Sequence, residues 1–124
     1  MPKPTDAELT ILKCLWKSGP CSVRALCDAL QEQQKWGYTT VLKFLQIMTD
    51  KGLVTRMADG RAHVYSAAIR EAEVQADLLG DLVRRLFQGS TQKLVLGALA
   101  NGEVTREELE EIKAIVESLE GKKS

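Results

Sequence analysis

Unrolled at roughly 100° per residue, the stretch from Thr39 to Lys51 divides into two faces. Val41, Leu42, Leu45, Met48 and Thr49 fall together on an apolar side, the side that belongs against a core. Opposite them lie Thr39, Thr40, Lys43, Gln46, Ile47 and Asp50, with Phe44 and Lys51 at the border. Hydroxyls and a lysine can donate to phosphate, a glutamine can pair with an adenine edge, and an aliphatic group can pack on a thymine methyl. A plain solvated helix face has a similar polar composition, and one outward aliphatic is common on protein surfaces. Ile47 near the centre of that arc is the feature that asks for a partner.

A second group follows closely. Arg56, Arg61 and His63, with Lys51 before them, surround an Asp59-Gly60 pair. Arg61 beside that turn is the strongest single candidate, because a guanidinium clamps a phosphate with two parallel hydrogen bonds or enters a narrow minor groove. The bland alternative is a solvated hairpin with a few charges.

Other chemistries find little support. The chain has one histidine, His63, which excludes any mechanism or metal site that needs two. Cys14, Cys21 and Cys27 are separated by six and five residues, unlike the paired CxxC spacing of thiolate sites, and lone cysteines on helix faces usually pack as small hydrophobes. Glu107, Glu108, Glu110, Glu111 and Glu117 read as partners of a helix N-terminus and a solvated face. No glycine-rich phosphate loop and no GxSxG is present. The reading is a non-enzyme with no cofactor and no metal.

The elements that must hold these groups are legible. Thr5 and Glu8 have capping-box spacing and open a helix over Asp6 to Lys17, which Ser18-Gly19-Pro20 stops. Ser22 caps a second, shorter helix carrying Val23, Leu26 and Leu30. Thr39 or Thr40 is positioned to cap the third, which ends at Gly52. The period then becomes extended over Leu53 to Ala58 and Arg61 to Ser66, and Asp59-Gly60 between them predicts a type I′ hairpin. Three helices and a two-stranded wing define a winged helix-turn-helix, whose third helix can enter a major groove.

From Ile69 onward the pattern is helical again. Val74, Leu78, Leu79, Leu82, Val83, Leu86 and Phe87 form a wide apolar stripe, and Gly89-Ser90 breaks it. A short helix with Leu94, Val95, Leu96 and Leu99 follows, and a second capping box, Thr105 with Glu108, opens a last helix with Leu109, Ile112, Ile115, Val116 and Leu119. This apolar surface exceeds what one small chain can bury, and a symmetric dimer is its usual cover. Leu78, Leu79, Leu82, Val83, Leu86, Phe87, Leu94, Leu99, Leu109, Ile112 and Val116 are the expected dimer contacts.

With 124 residues, the chain fits one compact unit or two small ones. The expected division is a DNA-binding domain over residues 1–68 and a dimerisation domain over residues 69–124. Hydrophobic residues at 44% and charged residues at 27% describe an ordinary folded chain. The net charge of zero conceals a partition: residues 1–66 carry +3 and residues 67–124 carry −3. A basic front can face a polyanion while an acidic rear stays clear of it. No apolar run approaches the roughly 20 residues of a membrane span and no secretory pattern opens the chain, so a cytoplasmic location is expected.

The order of motifs resembles the penicillinase repressor family, the BlaI/MecI/CopY type of bacterial regulator. The resemblance runs from about Pro4 to Leu119, through Leu15-Trp16, Gly19-Pro20-Cys21-Ser22-Val23-Arg24, Trp36-Gly37-Tyr38-Thr39-Thr40-Val41-Leu42, Lys51-Gly52-Leu53-Val54 and Gly60-Arg61-Ala62-His63-Val64-Tyr65-Ser66. It implies a homodimeric repressor that binds an operator inverted repeat of double-stranded DNA. The DNA-contacting set it implies is Tyr38, Thr39, Thr40, Lys43, Gln46, Ile47, Lys51, Arg56, Arg61 and His63. Ile47 departs from the Arg often found at that place. Relatives released by a membrane sensor-protease are cut at an Asn-Phe bond, where this chain has Gly97-Ala98. Copper-responsive relatives end in Cys-x-Cys pairs, which the tail Glu120 to Ser124 lacks. The alternatives are a winged-helix module that uses Phe44 and Ile47 to bind a protein, and a thiol- or metal-responsive regulator.

Overall fold

The computed structural model describes residues 3–123. The order of elements is α1 (Asp6–Ser18), β1 (Cys21–Ser22), α2 (Val23–Leu30), α3 (Tyr38–Lys51), β2 (Val54–Asp59), β3 (Ala62–Ala67), α4 (Glu71–Leu86), α5 (Thr91–Asn101) and α6 (Arg106–Lys123). The chain divides into two compact units, Met1–Leu79 and Gly80–Ser124.

In the first unit, α1 starts where two reciprocal bonds satisfy free backbone donors: Glu8 N donates to Thr5 Oγ1 at 3.2 Å and Thr5 N donates to Glu8 Oε1 at 2.9 Å. Ser22 Oγ caps α2 by accepting from Ala25 N at 3.1 Å. The start of α3 corrects the expectation that Thr39 or Thr40 caps it. Its N-cap is Gly37, with no side-chain cap. Trp36, just before the helix, instead packs on Phe44 with ring centroids 5.0 Å apart, so a hydrophobic anchor fixes the entry of the chain. The other end follows the sequence, as Gly52 takes a left-handed conformation (φ 81°) and donates to Met48 O and Thr49 O.

Apolar faces of the three helices meet the inner face of the sheet. Ile11, Leu12, Leu26, Val41, Leu45, Met48, Leu53 and Tyr65 are all at most 1% exposed. Ile69, just before α4, and Val74 in its first turn belong to the same core, and Leu78 packs against it. Trp16 Nε1 donates to Ile69 O at 2.9 Å, fixing the segment that leaves the sheet.

The sheet has three strands in the order β1-β3-β2, all antiparallel, where two were expected. β1 is only two residues, too short to show a period. The hairpin is also displaced by one residue. Asp59 pairs with Ala62, so Gly60-Arg61 forms the turn in place of Asp59-Gly60. Only Gly60 has a positive φ (65°), which fits a type II′ turn and not the expected I′. Moving the turn by one residue shifts the cross-strand partners by two, so Val54 and Tyr65 share the core face in either register and both stay buried.

In the second unit, Ser90 Oγ caps α5 by accepting from Lys93 N at 3.1 Å, after a break at Gln88 (φ 50°) and Gly89 (φ 81°). Thr105 and Glu108 form the second capping box at the start of α6. Among the described residues no helix is long and apolar enough to cross a membrane.

Candidate nucleic-acid interface

The geometry of α3 sorts its residues as a 3.6-residue period requires. Val41, Leu45 and Met48 are buried, while Leu42 and Thr49 are half-buried. Thr39, Thr40, Lys43, Gln46, Ile47 and Asp50 are exposed, as is Tyr38 in the first turn. Ile47 presents 40% of its surface to solvent.

Beside this face lies a concavity of about 430 Å³, lined by Ser22, Val23, Arg24, Tyr38, Leu42, Gln46, Arg56, Arg61, Ala62, His63 and Tyr65. Three elements deliver its basic side chains. The hairpin register pairs Arg56 with Tyr65 and His63 with Ala58, so Arg56 and His63 emerge on one sheet face as diagonal neighbours. The tight turn contributes Arg61. The first turn of α2 adds Arg24, whose Cζ sits 5.8 Å from the centroid of the Tyr38 ring. Sequence reasoning missed Arg24, because α2 was read for its buried face. A smaller depression of about 160 Å³ brings Asp50 and Thr49 beside Arg56, Gln46 and Tyr65.

Among the described residues, no ion pair engages Arg24, Lys43, Arg56 or Arg61. Lys51 stands apart. Like Thr39, Thr40, Lys43 and Ile47 it does not line the concavity, but its Nζ is engaged, 2.7 Å from Glu8 Oε1. The Glu8 side chain is 3% exposed and that of Lys51 31%. Burial alone pushes the Glu8 carboxyl up, but hydrogen bonds from Lys51 and Thr5, with the charge of Lys51, outweigh it and hold the group below its ordinary value.

The cysteines are free thiols. Cys21 Sγ donates to Gly19 O at 3.2 Å. Burial, and then the neighbouring Cys14, pushes the Cys21 thiol up; burial, followed by Asp28, does the same for Cys27 against the opposing charge of Arg24. Raised thiols are poor nucleophiles and poor ligands at neutral pH. Among the described residues no group of three or more His, Cys, Asp or Glu is placed to hold a metal.

The expected dimer contacts remain largely uncovered. Leu79, Leu82, Leu86, Leu109 and Val116 are exposed, while Leu78, Val83, Phe87, Leu94, Leu99 and Ile112 are half-buried. Val95, Leu96, Ile115 and Leu119, outside the expected set, are exposed as well. No described residue of Gly80–Ser124 is buried.

Three helices, a hairpin at the end of the third, and an outward polar face on that third helix define the first unit as a winged helix-turn-helix. The comparisons with known proteins narrow the class. The sequence profile of the penicillinase repressor family matches residues 4–118, and the chain belongs to that family. It is 26% identical over 123 residues to the penicillinase repressor of Bacillus licheniformis, covering 99% of this chain and 96% of that one. It is 30% identical over 92 residues to the transcriptional regulator BlaI of Mycobacterium tuberculosis, covering 73% and 67%. Among solved structures it is similar to the solution structure of Bacillus licheniformis BlaI, in its monomeric form in complex with the blaP half-operator. That match has a TM-score of 0.51 at 28% identity, covering 58% of this chain and 88% of the other.

Proposed function

We propose that this chain is a transcriptional repressor that binds operator DNA as a homodimer. On this reading residues 1–68 hold the DNA reader and residues 69–124 the dimerisation region, and the protein works in the cytoplasm, where bacterial DNA is. The observation that carries the reading is the convergence of α3's outward face with a cation-lined concavity, in a chain whose relative was solved on a half-operator.

Lys43, Thr39 and Thr40 donate to backbone phosphates. Gln46 and Ile47 meet base edges, the amide suited to adenine and the aliphatic to a thymine methyl. Arg56, Arg61 and His63 hold the phosphates flanking the groove, and Tyr38 borders them. Lys51, engaged with Glu8, supports the helix from behind.

The second copy follows from α4 to α6. The rear unit leaves Leu86 at 62% exposure, Ile115 at 60% and Leu96 at 57%, an apolar surface that water does not favour and a twofold partner covers. Two readers held together sit about 34–36 Å apart, one helical turn of duplex. Release by a sensor-protease would require a bond other than Asn-Phe, since Gly97-Ala98 lies in α5 at that place.

The test is selection of bound duplexes from fragmented genomic DNA by the full chain, followed by sequencing and a salt titration. Enrichment of an inverted repeat near promoters, with affinity falling steeply as salt rises, is the expected result. No enrichment at low salt overturns the reading in favour of a protein-binding module using Phe44 and Ile47.

A further inference from the structure

We infer that Arg24 is a phosphodiester-binding residue of this interface, held in its working orientation by Tyr38. The inference rests on the DNA-binding reading and adds a contact that neither the helix-3 face nor the wing supplies.

Tyr38 is 49% exposed and takes no part in the hydrophobic core, so packing does not account for an aromatic in the first turn of α3. Its ring faces the Arg24 guanidinium at 5.8 Å. A long exposed arginine ordinarily loses much rotamer freedom when it grips an anion, and a ring that already restrains the planar guanidinium removes part of that loss in advance. The pair also bridges two elements, α2 and α3, so the position of Arg24 is tied to the helix proposed to enter the groove.

Arg24 has no carboxylate partner among the described residues. It shares the 430 Å³ concavity with Gln46 of α3 and with Arg56, Arg61 and His63 of the wing. Guanidiniums supplied from both α2 and the hairpin to one concavity, with Gln46 of α3 in its lining, suit an extended polyanion that passes over α3. A duplex backbone has that form. A free small phosphate would bring the same chemistry, and the experiment separates the two.

The full chain is titrated by fluorescence anisotropy onto a selected duplex and a random duplex, between about 50 and 200 mM salt. Arg24→Ala should weaken binding several-fold on both duplexes alike and lower the slope of log affinity against log salt by about 1, the signature of one lost phosphate contact. Tyr38→Ala should weaken binding less, add nothing in the Arg24→Ala background, and be rescued by Tyr38→Phe, which keeps the ring. Thermal unfolding of each variant should match the parent, since both side chains are exposed.

An unchanged slope in Arg24→Ala, or strictly additive losses for the two residues, overturns the inference while leaving DNA binding intact. Competition by pyrophosphate that Arg24→Ala abolishes, with the duplex slope unchanged, overturns it in favour of a free anion. A parent chain that binds no duplex at low salt overturns the DNA reading and this inference with it.

Discussion

Lys51 Nζ lies 2.7 Å from Glu8 Oε1, the same oxygen that accepts the Thr5 backbone N–H at 2.9 Å. One carboxylate oxygen therefore closes the capping box of α1 and ties it to the last turn of α3. Replacing Lys51 with Met leaves a carboxylate at 3% exposure with only part of its hydrogen bonding. Because Lys51 is itself partly exposed, the loss should be about 2 kcal/mol. Urea unfolding measures it, and a change below about 0.5 kcal/mol would mean that the pair is ornamental. The slope of DNA affinity against salt should change less than it does for Arg61→Ala.

The same pair makes stability depend on pH. The folded Glu8 carboxyl is held below its ordinary value of 4.5, so the unfolded chain takes up the proton first as pH falls. Its contribution is present above that ordinary value and is lost as pH drops through the lower folded one. Unfolding free energies measured from pH 7 down to pH 3 should decline below about 4.5. Glu8→Gln, already weaker at neutral pH, should show a shallower decline, and parallel curves would contradict the assignment.

Most local signals were legible and long-range ones were not, the cap of α3 at Gly37 in place of Thr39 or Thr40 being a local exception. Thr5 with Glu8, Thr105 with Glu108, and Gly52 at the end of α3 each act within a few residues, and all three stand as the spacing requires. The outward face of α3 follows from its period alone. The Lys51–Glu8 contact spans 43 residues, and nothing near either one announces it. The hairpin turn differs by one residue because Asp59-Gly60 and Gly60-Arg61 both keep Tyr65 and Val54 on one face, so the alternation in the sequence does not choose between them. Arg24 escaped notice because its value lies in where the wing and Tyr38 fall around it.

Gly60 is the turn position where a side chain is resisted by conformation and not by space. Its φ is 65°, and nothing lies within 4 Å of an added Cβ. Gly60→Ala should cost about 1–2 kcal/mol of stability through the left-handed backbone. With Arg61 next to it in the turn, DNA affinity should fall although no charge is removed. Parent-like unfolding and binding would show that the wing adopts another turn without penalty.

Ile47 should control sequence preference and leave general affinity nearly alone. It is exposed, uncharged and central on the proposed reading face. Ile47→Ala should reduce discrimination at one thymine-bearing position by about 1 kcal/mol, roughly fivefold, with the salt slope unchanged. A panel of single-base variants of the selected duplex measures this. Equal losses on every duplex would assign Ile47 to packing instead.

Dimerisation should respond to charge placed on the uncovered rear helices. Leu86 is 62% exposed and Val116 48% exposed, so glutamate at both sites disturbs no core. In a dimer those positions lose their water, and two carboxylates there cannot be buried without partners. Leu86→Glu with Val116→Glu should sediment as a monomer at micromolar concentration and retain the helical content of the parent. Because the two half-sites would then be bound independently, affinity for the intact repeat should fall by 10²-fold or more, about the advantage that linking two readers confers. Affinity for an isolated half-site should stay within about twofold of the parent. A double variant that remains dimeric would place the interface elsewhere, and a parent that is monomeric yet binds the full repeat as tightly would show that each reader acts alone.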